Sequence, residues 1–200
     1  MNTKLILVRH GETEKNVSGK LHSSSDPEVL NKKGRNQMET TAKYLLSFKS
    51  WIIYGSKEKR ANESAEIIAK VCKVPMKLID GMQERDWGDF SGKSWDEIKK
   101  VLDPMSLEER YTYIPPKGES WKEFEERLIK TVNHILRENE NKTVVVVTHG
   151  GAIRALMPYL LGVPKEESFK YDPDNASLTI FDYSKGKFKN KKINDTSHLK

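Results

Sequence analysis

A chain of 200 residues is long enough to fill one hydrophobic core, and a single domain over residues 1–200 is expected. Apolar residues make up 36% and charged residues 32%, and every apolar run falls far short of the roughly 20 residues that span a bilayer, so a membrane-spanning helix is excluded. The net charge of +6 favours acidic partners, but the lysines crowd only at 184–192, "SKGKFKNKK", which reads as a lysine-guarded edge hairpin; no nucleic-acid partner is expected.

Met1 leads directly into the apolar run "LILV" at 5–8, with no secretory leader expected. Met38, Ala42 and Leu45 then share one helical face. The run "WIIY" at 51–54 precedes a second helix carrying Ala61, Ala65, Ile68 and Cys72 on one face. Cys72 is the only cysteine, so it forms no internal disulfide and reads as a small hydrophobe in a reducing, cytoplasmic compartment. After "MKLI" at 76–79 the pattern breaks over about 83–120, where Gly88, Gly92, Pro104, "IPP" and Gly118 surround the short helical piece "SWDEIKKVL". That stretch is expected to be a lid laid over the rim of the sheet. Periodicity resumes with Trp121, Phe124, Leu128, Val132, Ile135 and Leu136, then "TVVVVT" at 143–148, a helix with Ala152, Leu156 and Leu160, and "LTIFDY" at 178–183.

Runs that are apolar at every position suit strands covered on both faces. The alternation therefore predicts an α/β fold: a three-layer sandwich with a mostly parallel central sheet, helices on both faces, and a lid insertion over the C-terminal strand ends. The last strands are expected at an edge.

Ligands in open α/β sheets sit beyond the carboxyl ends of the strands. Arg9, His10 and Gly11 follow the first strand there, Thr148, His149, Gly150 and Gly151 follow the "VVVV" strand, and Arg60 opens a helix just beyond a third. Two arginines, two histidines and a helix N-terminus converging on one spot suit a compact multivalent anion, and phosphate fits best because guanidinium forks grip its oxygens in pairs. A neutral imidazole is a competent nucleophile toward phosphorus, and a flanking Arg9 disfavours its protonated form. The leaving alkoxide then needs a proton, for which Glu84, Asp86 and Asp89 are candidates. No HExxH, clustered Asp or Cys-His ligand set is present, so neither a metal nor another cofactor is expected. His22, His134 and His198 read as ordinary structural histidines, the last in a loose polar tail, although the 18–30 loop places His22 within possible reach of a substrate. The tryptophans at 51, 87, 95 and 121 read as packing residues, with Trp87 and Trp95 able to line a pocket.

"LVRHGETEKN", "KRANESAEI", "QERDWGDFSGKSWDEI", "PKGES" and "VVVVTHGGAIRAL" occur in the order and approximate spacing of the histidine phosphatase superfamily, the phosphoglycerate-mutase-like fold, and the chain resembles that family from about residue 4 to 183. The resemblance implies that His10 becomes phosphohistidine while Arg9, Arg60 and His149 hold the transferring phosphoryl group. It implies Asn16 as a further phosphate ligand and Glu84 as the proton donor. Glu119 and Ser120 fall in the family's "GES" turn. Gly150, at the helix start, and Arg85, which echoes the mutase branch, are expected to contact substrate. Gly55-Ser56-Lys57 stands where Ser-Ser-Asp is usual, which puts the hydrogen bonds inside that loop in question. Trp95 replaces the lysine of the mutases and no Arg-Arg pair appears, which favours a phosphatase. The expected activity is a metal-independent phosphomonoesterase acting on a phosphorylated small molecule. Its rivals are a phosphoglycerate-type mutase, a non-catalytic phosphate-binding module, and a metal hydrolase built on His10 and His149. The segment at 83–120 and the 18–30 loop are expected to set the substrate, through Trp87, Trp95, Arg110, Tyr111 and Tyr113.

Overall fold

Four consecutive apolar residues, Leu5 to Val8, are all fully buried because they alternate between two separate cores. The computed structural model of the protein describes residues 2–22, 26–48 and 51–200, with the backbone alone at Trp51. The elements in chain order are β1 (Thr3–Arg9), α1 (Glu14–Ser18), α2 (Lys32–Leu45), β2 (Trp51–Ser56), α3 (Lys59–Cys72) and β3 (Met76–Ile79). They continue with α4 (Trp95–Leu102), α5 (Leu107–Thr112), α6 (Trp121–Glu138), β4 (Thr143–Thr148), α7 (Gly150–Leu161), β5 (Leu178–Ser184) and β6 (Lys187–Asp195).

The strands form one six-stranded sheet in the order β3-β2-β4-β1-β5-β6. The first four in that order run parallel to one another, β5 runs antiparallel to β1, and β6 antiparallel to β5. Leu5, Leu7, Val144 and Val146 pack with α6 and α7 through Phe124, Leu128, Ala152 and Leu156. Ile6, Val8, Val145 and Val147 pack on the other face with Met38, Ala42, Ala65 and Ile68 of α2 and α3. Each of the Val, Leu, Ile, Met and Phe side chains among them contributes about 1.5–3 kcal/mol of burial. The three-layer sandwich expected from the apolar runs is therefore present, with the antiparallel pair at one edge. On β6, Lys187, Lys189 and Lys191 are exposed and protect that edge from further pairing.

Residues 83–120 hold a 3-10 turn at Gly88–Phe90, α4 and α5. They have a small core of their own, Trp87, Ile98 and Leu102, with Leu21, Phe90, Met105 and Tyr113 packed against it. The tie to the loop after α1 is backbone pairing: Leu21 N–H donates to Lys93 O at 3.1 Å and Gly92 N–H to Leu21 O at 3.1 Å. Of the 18–30 loop, residues 23–25 lie outside the described residues, as does the side chain of Trp51.

The C-terminal tail departs from the loose segment expected. His198 Nε2 lies 2.9 Å from Thr41 Oγ1, and its ring stacks on Tyr44 with centroids 5.3 Å apart, so the tail is docked on α2. A polar sequence concealed this because the docking uses one side-chain hydrogen bond, one ring face and a single apolar residue, Leu199, packed against the core of Met38, Ala42 and Leu45.

Candidate active site

Strand register brings the two histidines together. Arg9 pairs with Thr148 across β1 and β4, so His10 and His149 are the next residue on each strand, with ring centroids 5.3 Å apart. The His10 N–H donates to Thr148 O at 2.9 Å. Glycine follows because the chain here meets the start of α2: a Cβ on Gly11 would lie 2.5 Å from the carbonyl oxygen of Gly34.

His10 is buried, and its Nδ1 lies 2.8 Å from Gly11 O. A carbonyl only accepts, so Nδ1 carries the proton and Nε2 keeps its lone pair. Burial, then the charges of Arg60, His149 and Arg9, push the His10 pKa well below the usual 6.5, against a small opposing contribution from the Gly11 bond. The ring is thereby held neutral with a bare Nε2.

Arg60 lies in the first turn of α3 and is fully buried. Its Nε and NH1, the Nε of Arg9 and the Nδ1 of His149 are all buried without a protein partner. Buried guanidinium donors are almost always satisfied, so a cluster of them left over defines a place for an anion with several acceptor oxygens. Arg9 is anchored by a bond from its NH1 to Pro173 O.

No motif or periodicity in the sequence marks Glu58. It precedes α3 at the cap position but makes no capping bond; its side chain turns inward instead. One oxygen, Oε1, accepts from Arg60 NH2 at 3.3 Å. The other, Oε2, meets His149 Nε2 and accepts the Glu84 N–H at 2.9 Å. Burial pushes its pKa up, but His149 and Arg60 outweigh that and bring it down to about 2. Ser56 Oγ also lies 3.0 Å from His149 Nε2, and Lys57 pairs with Asp80 at 2.7 Å, so the divergent Gly55-Ser56-Lys57 loop is fixed by bonds of its own.

Glu84 lines one cavity with Arg9 and His10. Its Oε2 accepts the Gly151 N–H at 2.8 Å and its Oε1 the Arg85 N–H at 2.9 Å. One of the free N–H groups expected at the start of α7 is thus already engaged. The neighbouring candidates point elsewhere: Asp86 Oδ1 accepts the Gly88 N–H at 2.9 Å, and the exposed Asp89 pairs with Lys117 at 3.1 Å. The Glu84 turn is braced by Arg127, which no sequence motif marks. Arg127 donates to Gly81 O, Gln83 O and Glu84 O at 3.2, 3.0 and 2.9 Å. Glu119 holds Arg127 in place with both oxygens, at 2.8 and 2.6 Å. The "GES" turn therefore acts through structure, with Ser120 capping α6 in a reciprocal box with Glu123.

Arg85 is buried against Trp87, its guanidinium carbon 4.2 Å from the ring, and burial lowers its pKa to about 10. Its Nε and NH2 donate to Glu119 O and Tyr113 O, each at 3.2 Å. Asn16 Oδ1 accepts from Thr13 N, Thr13 Oγ1 and Asn175 Nδ2 at 3.2, 3.2 and 3.1 Å, closing the turn at α1. Asn175, which no sequence pattern marks, donates to His10 O at 3.1 Å as well.

A cavity of about 530 Å³ joins Arg9, His10, Asn16, Glu84, Arg85 and Gly150 to Trp87, Trp95, Lys99, Arg110 and Tyr111 from the 83–120 segment. His22 lines it too, with its ring centroid 5.9 Å from that of His10. Among the described residues, one group has the spacing to meet a cation, His22, Asp26 and Glu28. The ammonium of Lys15 already sits on Asp26 Oδ2.

Comparison with known proteins places the chain in a family. The model of the histidine phosphatase superfamily (branch 1) matches residues 5–196, and the chain belongs to that family. It is 34% identical over 98% of its length to an uncharacterized phosphatase PhoE of Bacillus subtilis, covering 97% of that protein. It is 32% identical over 84% of its length to a 2,3-bisphosphoglycerate-dependent phosphoglycerate mutase of Bartonella bacilliformis, covering 85% of that protein. Among solved structures, a mutant phosphoserine phosphatase from Entamoeba histolytica in complex with phosphoserine superposes with a TM-score of 0.84 at 29% identity, over 98% of this chain and 99% of that one.

Proposed function

We propose that this phosphatase hydrolyses a small-molecule phosphate monoester without a metal ion, through a phosphohistidine on His10. The observation that carries the reading is the set of four buried, unpartnered nitrogens from Arg9, Arg60 and His149 beside a His10 whose Nε2 is bare. These groups supply what a metal would otherwise supply, charge on the phosphoryl oxygens as negative charge develops. In the first step Nε2 of His10 attacks phosphorus and the ester oxygen leaves, taking a proton from Glu84. In the second, Glu84 accepts a proton from water, which attacks the phosphohistidine and releases inorganic phosphate. Asn16, Gly150 and Arg85 line the cavity; in this reading Asn16 and Gly150 contact the phosphate and Arg85 the rest of the substrate. The phosphoserine bound by the Entamoeba relative supports a small phosphorylated substrate here.

Cytoplasmic residence fits this chemistry, and the lone Cys72 supports it: burial pushes its thiol up to about 11, so it stays a thiol. Among the described residues no helix is long and apolar enough to cross a membrane.

The test is hydrolysis of an aryl phosphate by chelator-treated protein beside His10→Ala, with acid quenching to trap an acid-labile phosphoprotein. Turnover and trapping in the wild type alone support the reading. Loss of activity on chelation overturns it in favour of a metal hydrolase. Isomerisation of phosphoglycerate faster than hydrolysis, with a stable phosphoenzyme, overturns it in favour of the mutase. Phosphate binding without turnover of any ester leaves a binding module.

A further inference from the structure

We infer that Glu58 is a positioning residue that holds His149 doubly protonated, so that both ring nitrogens donate, Nε2–H to Glu58 and Nδ1–H to an oxygen of the phosphoryl group. The inference rests on the phosphate-ester reading above.

The geometry leaves His149 little alternative. A carboxylate oxygen of Glu58 faces Nε2, and a carboxylate only accepts, so Nε2 carries a proton. A neutral imidazole with its proton there presents a bare lone pair at Nδ1. That nitrogen is buried, has no protein partner and belongs to the group of donors around the anion position. A lone pair aimed at phosphate oxygens repels them, whereas an Nδ1–H binds them. Only the imidazolium satisfies both sides, and Glu58 is the counter-ion that permits it.

A carboxylate beside an anion site would ordinarily oppose binding. Here it is shared: Arg60 NH2 lies on one oxygen at 3.3 Å and His149 on the other, so the trio keeps one net positive charge. Replacing Glu58 by a neutral residue gains no charge if His149 then gives up its proton; the positive charge simply leaves the ring. The bond to Arg60 NH2 also directs Nε and NH1 of Arg60 toward the phosphate. The Glu84 N–H on Oε2 ties the proton donor's backbone to the same carboxylate. A residue at the start of a helix that forgoes capping its own helix to make three contacts inside the site is placed for the site, not for the helix.

His149 is faced by His10 and Arg9 from the end of β1, His22 from the loop after α1, and Glu58 and Arg60 from the start of α3. Glu84 joins them from the turn after β3. Of the two acids in that group, Glu58 alone touches a ring nitrogen of His149.

The experiment compares wild type, Glu58→Gln and Glu58→Asp by kcat/KM for an aryl phosphate from pH 5 to 9, with ¹⁵N spectra of the histidine rings and His149→Gln as the assignment control. The wild type is expected to show both nitrogens of His149 protonated at pH 7. Glu58→Gln is expected to move the alkaline limb to lower pH, so that the wild-type to variant ratio grows at least tenfold between pH 5.5 and pH 8. Glu58→Asp keeps the charge and should keep the limb near its wild-type position at a lower rate. Parallel profiles for Glu58→Gln and wild type, or a neutral His149 in the wild type at pH 7, overturn the inference. If Glu58→Gln fails to fold, the wild-type spectra and Glu58→Asp decide. If no ester is hydrolysed by any form, the phosphatase reading fails, and the spectra still decide for or against Glu58.

Discussion

Glu84 and Gly151 touch backbone to carboxylate: the Gly151 N–H donates to Glu84 Oε2 at 2.8 Å, and a Cβ on Gly151 would fall 2.3 Å from Glu84 Oε1. The start of α7 thus aims the carboxylate, and only glycine leaves it room. Gly151→Ala should push Glu84 aside while leaving His10 in place. Turnover of an alkyl phosphate is then expected to fall about 10²-fold, the usual contribution of a positioned general acid. Turnover of a nitrophenyl phosphate should fall much less, because that leaving group departs without a proton. The ratio of the two kcat/KM values measures the effect, because it reports phosphoryl transfer to His10 and not the later hydrolysis of phosphohistidine that both substrates share, and equal losses in kcat/KM would show that Glu84 is not the proton donor.

Loss of the nucleophile should be far more severe. His10→Ala is expected to lower kcat by at least about 10⁴-fold, in the range seen when one member of a catalytic unit is removed. Thermal unfolding should change by only about 5 °C, since a neutral ring with a single bond to Gly11 is lost. His134 is exposed on α6, and His134→Ala should match the wild type in both assays. Steady-state kinetics and a melting curve on the three proteins suffice.

The fold and the convergence of the candidate site were legible for one shared reason. Strands such as Leu5 to Val8 announce burial on both faces, and residues at their ends inherit fixed positions, so Arg9, His10 and His149 could be placed from pattern alone. Glu58 and Arg127 were not legible in the same way. A glutamate near a helix start and an arginine in an amphipathic helix look like solvated surface in a sequence. What makes them part of the site is the direction of a side chain across a tertiary gap, from α3 toward His149 and from α6 toward the Glu84 turn. The docking of His198 on Tyr44 escaped for the same reason, and so did Asn175, which follows a proline-containing loop with no periodic pattern.

Acid should weaken the fold through histidines before carboxylates. Burial first, then Arg60, lowers the His22 pKa to about 3, and the same causes push His10 well below 6.5. Both are neutral in the folded protein, while in the unfolded chain they take up a proton near 6.5. The unfolded state then binds more protons, and stability falls as pH drops from 6.5 toward 3, at up to about 1.4 kcal/mol per unit for each group. Glu58, brought down to about 2, contributes stability that is present above about 4.5 and lost only between there and 2. Urea unfolding between pH 6.5 and 5 therefore isolates the histidines. His22→Gln should flatten that slope by up to one group's share, and an unchanged slope would show that His22 is charged in the folded state.

The brace beneath the proton donor gives the last prediction. Arg127 makes five hydrogen bonds, three to the carbonyls of Gly81, Gln83 and Glu84 and two to Glu119. Its guanidinium is the only group shape that reaches all of these at once, since three donors on a lysine ammonium diverge from one point. Arg127→Ala leaves Glu119 without its cation and three carbonyls short of a donor. It should destabilise the protein by about 3 kcal/mol, as charged hydrogen bonds are worth roughly 1.5–3 kcal/mol each before water replaces part of them. Arg127→Lys should recover only part of that stability. Because the carbonyls belong to the turn that carries Glu84, the surviving folded enzyme should also lose more rate on an alkyl phosphate than on an aryl phosphate, as Gly151→Ala does. Denaturant titration and the two-substrate comparison separate these effects: lost stability with an unchanged substrate ratio would mean that Arg127 supports the fold but does not position the acid.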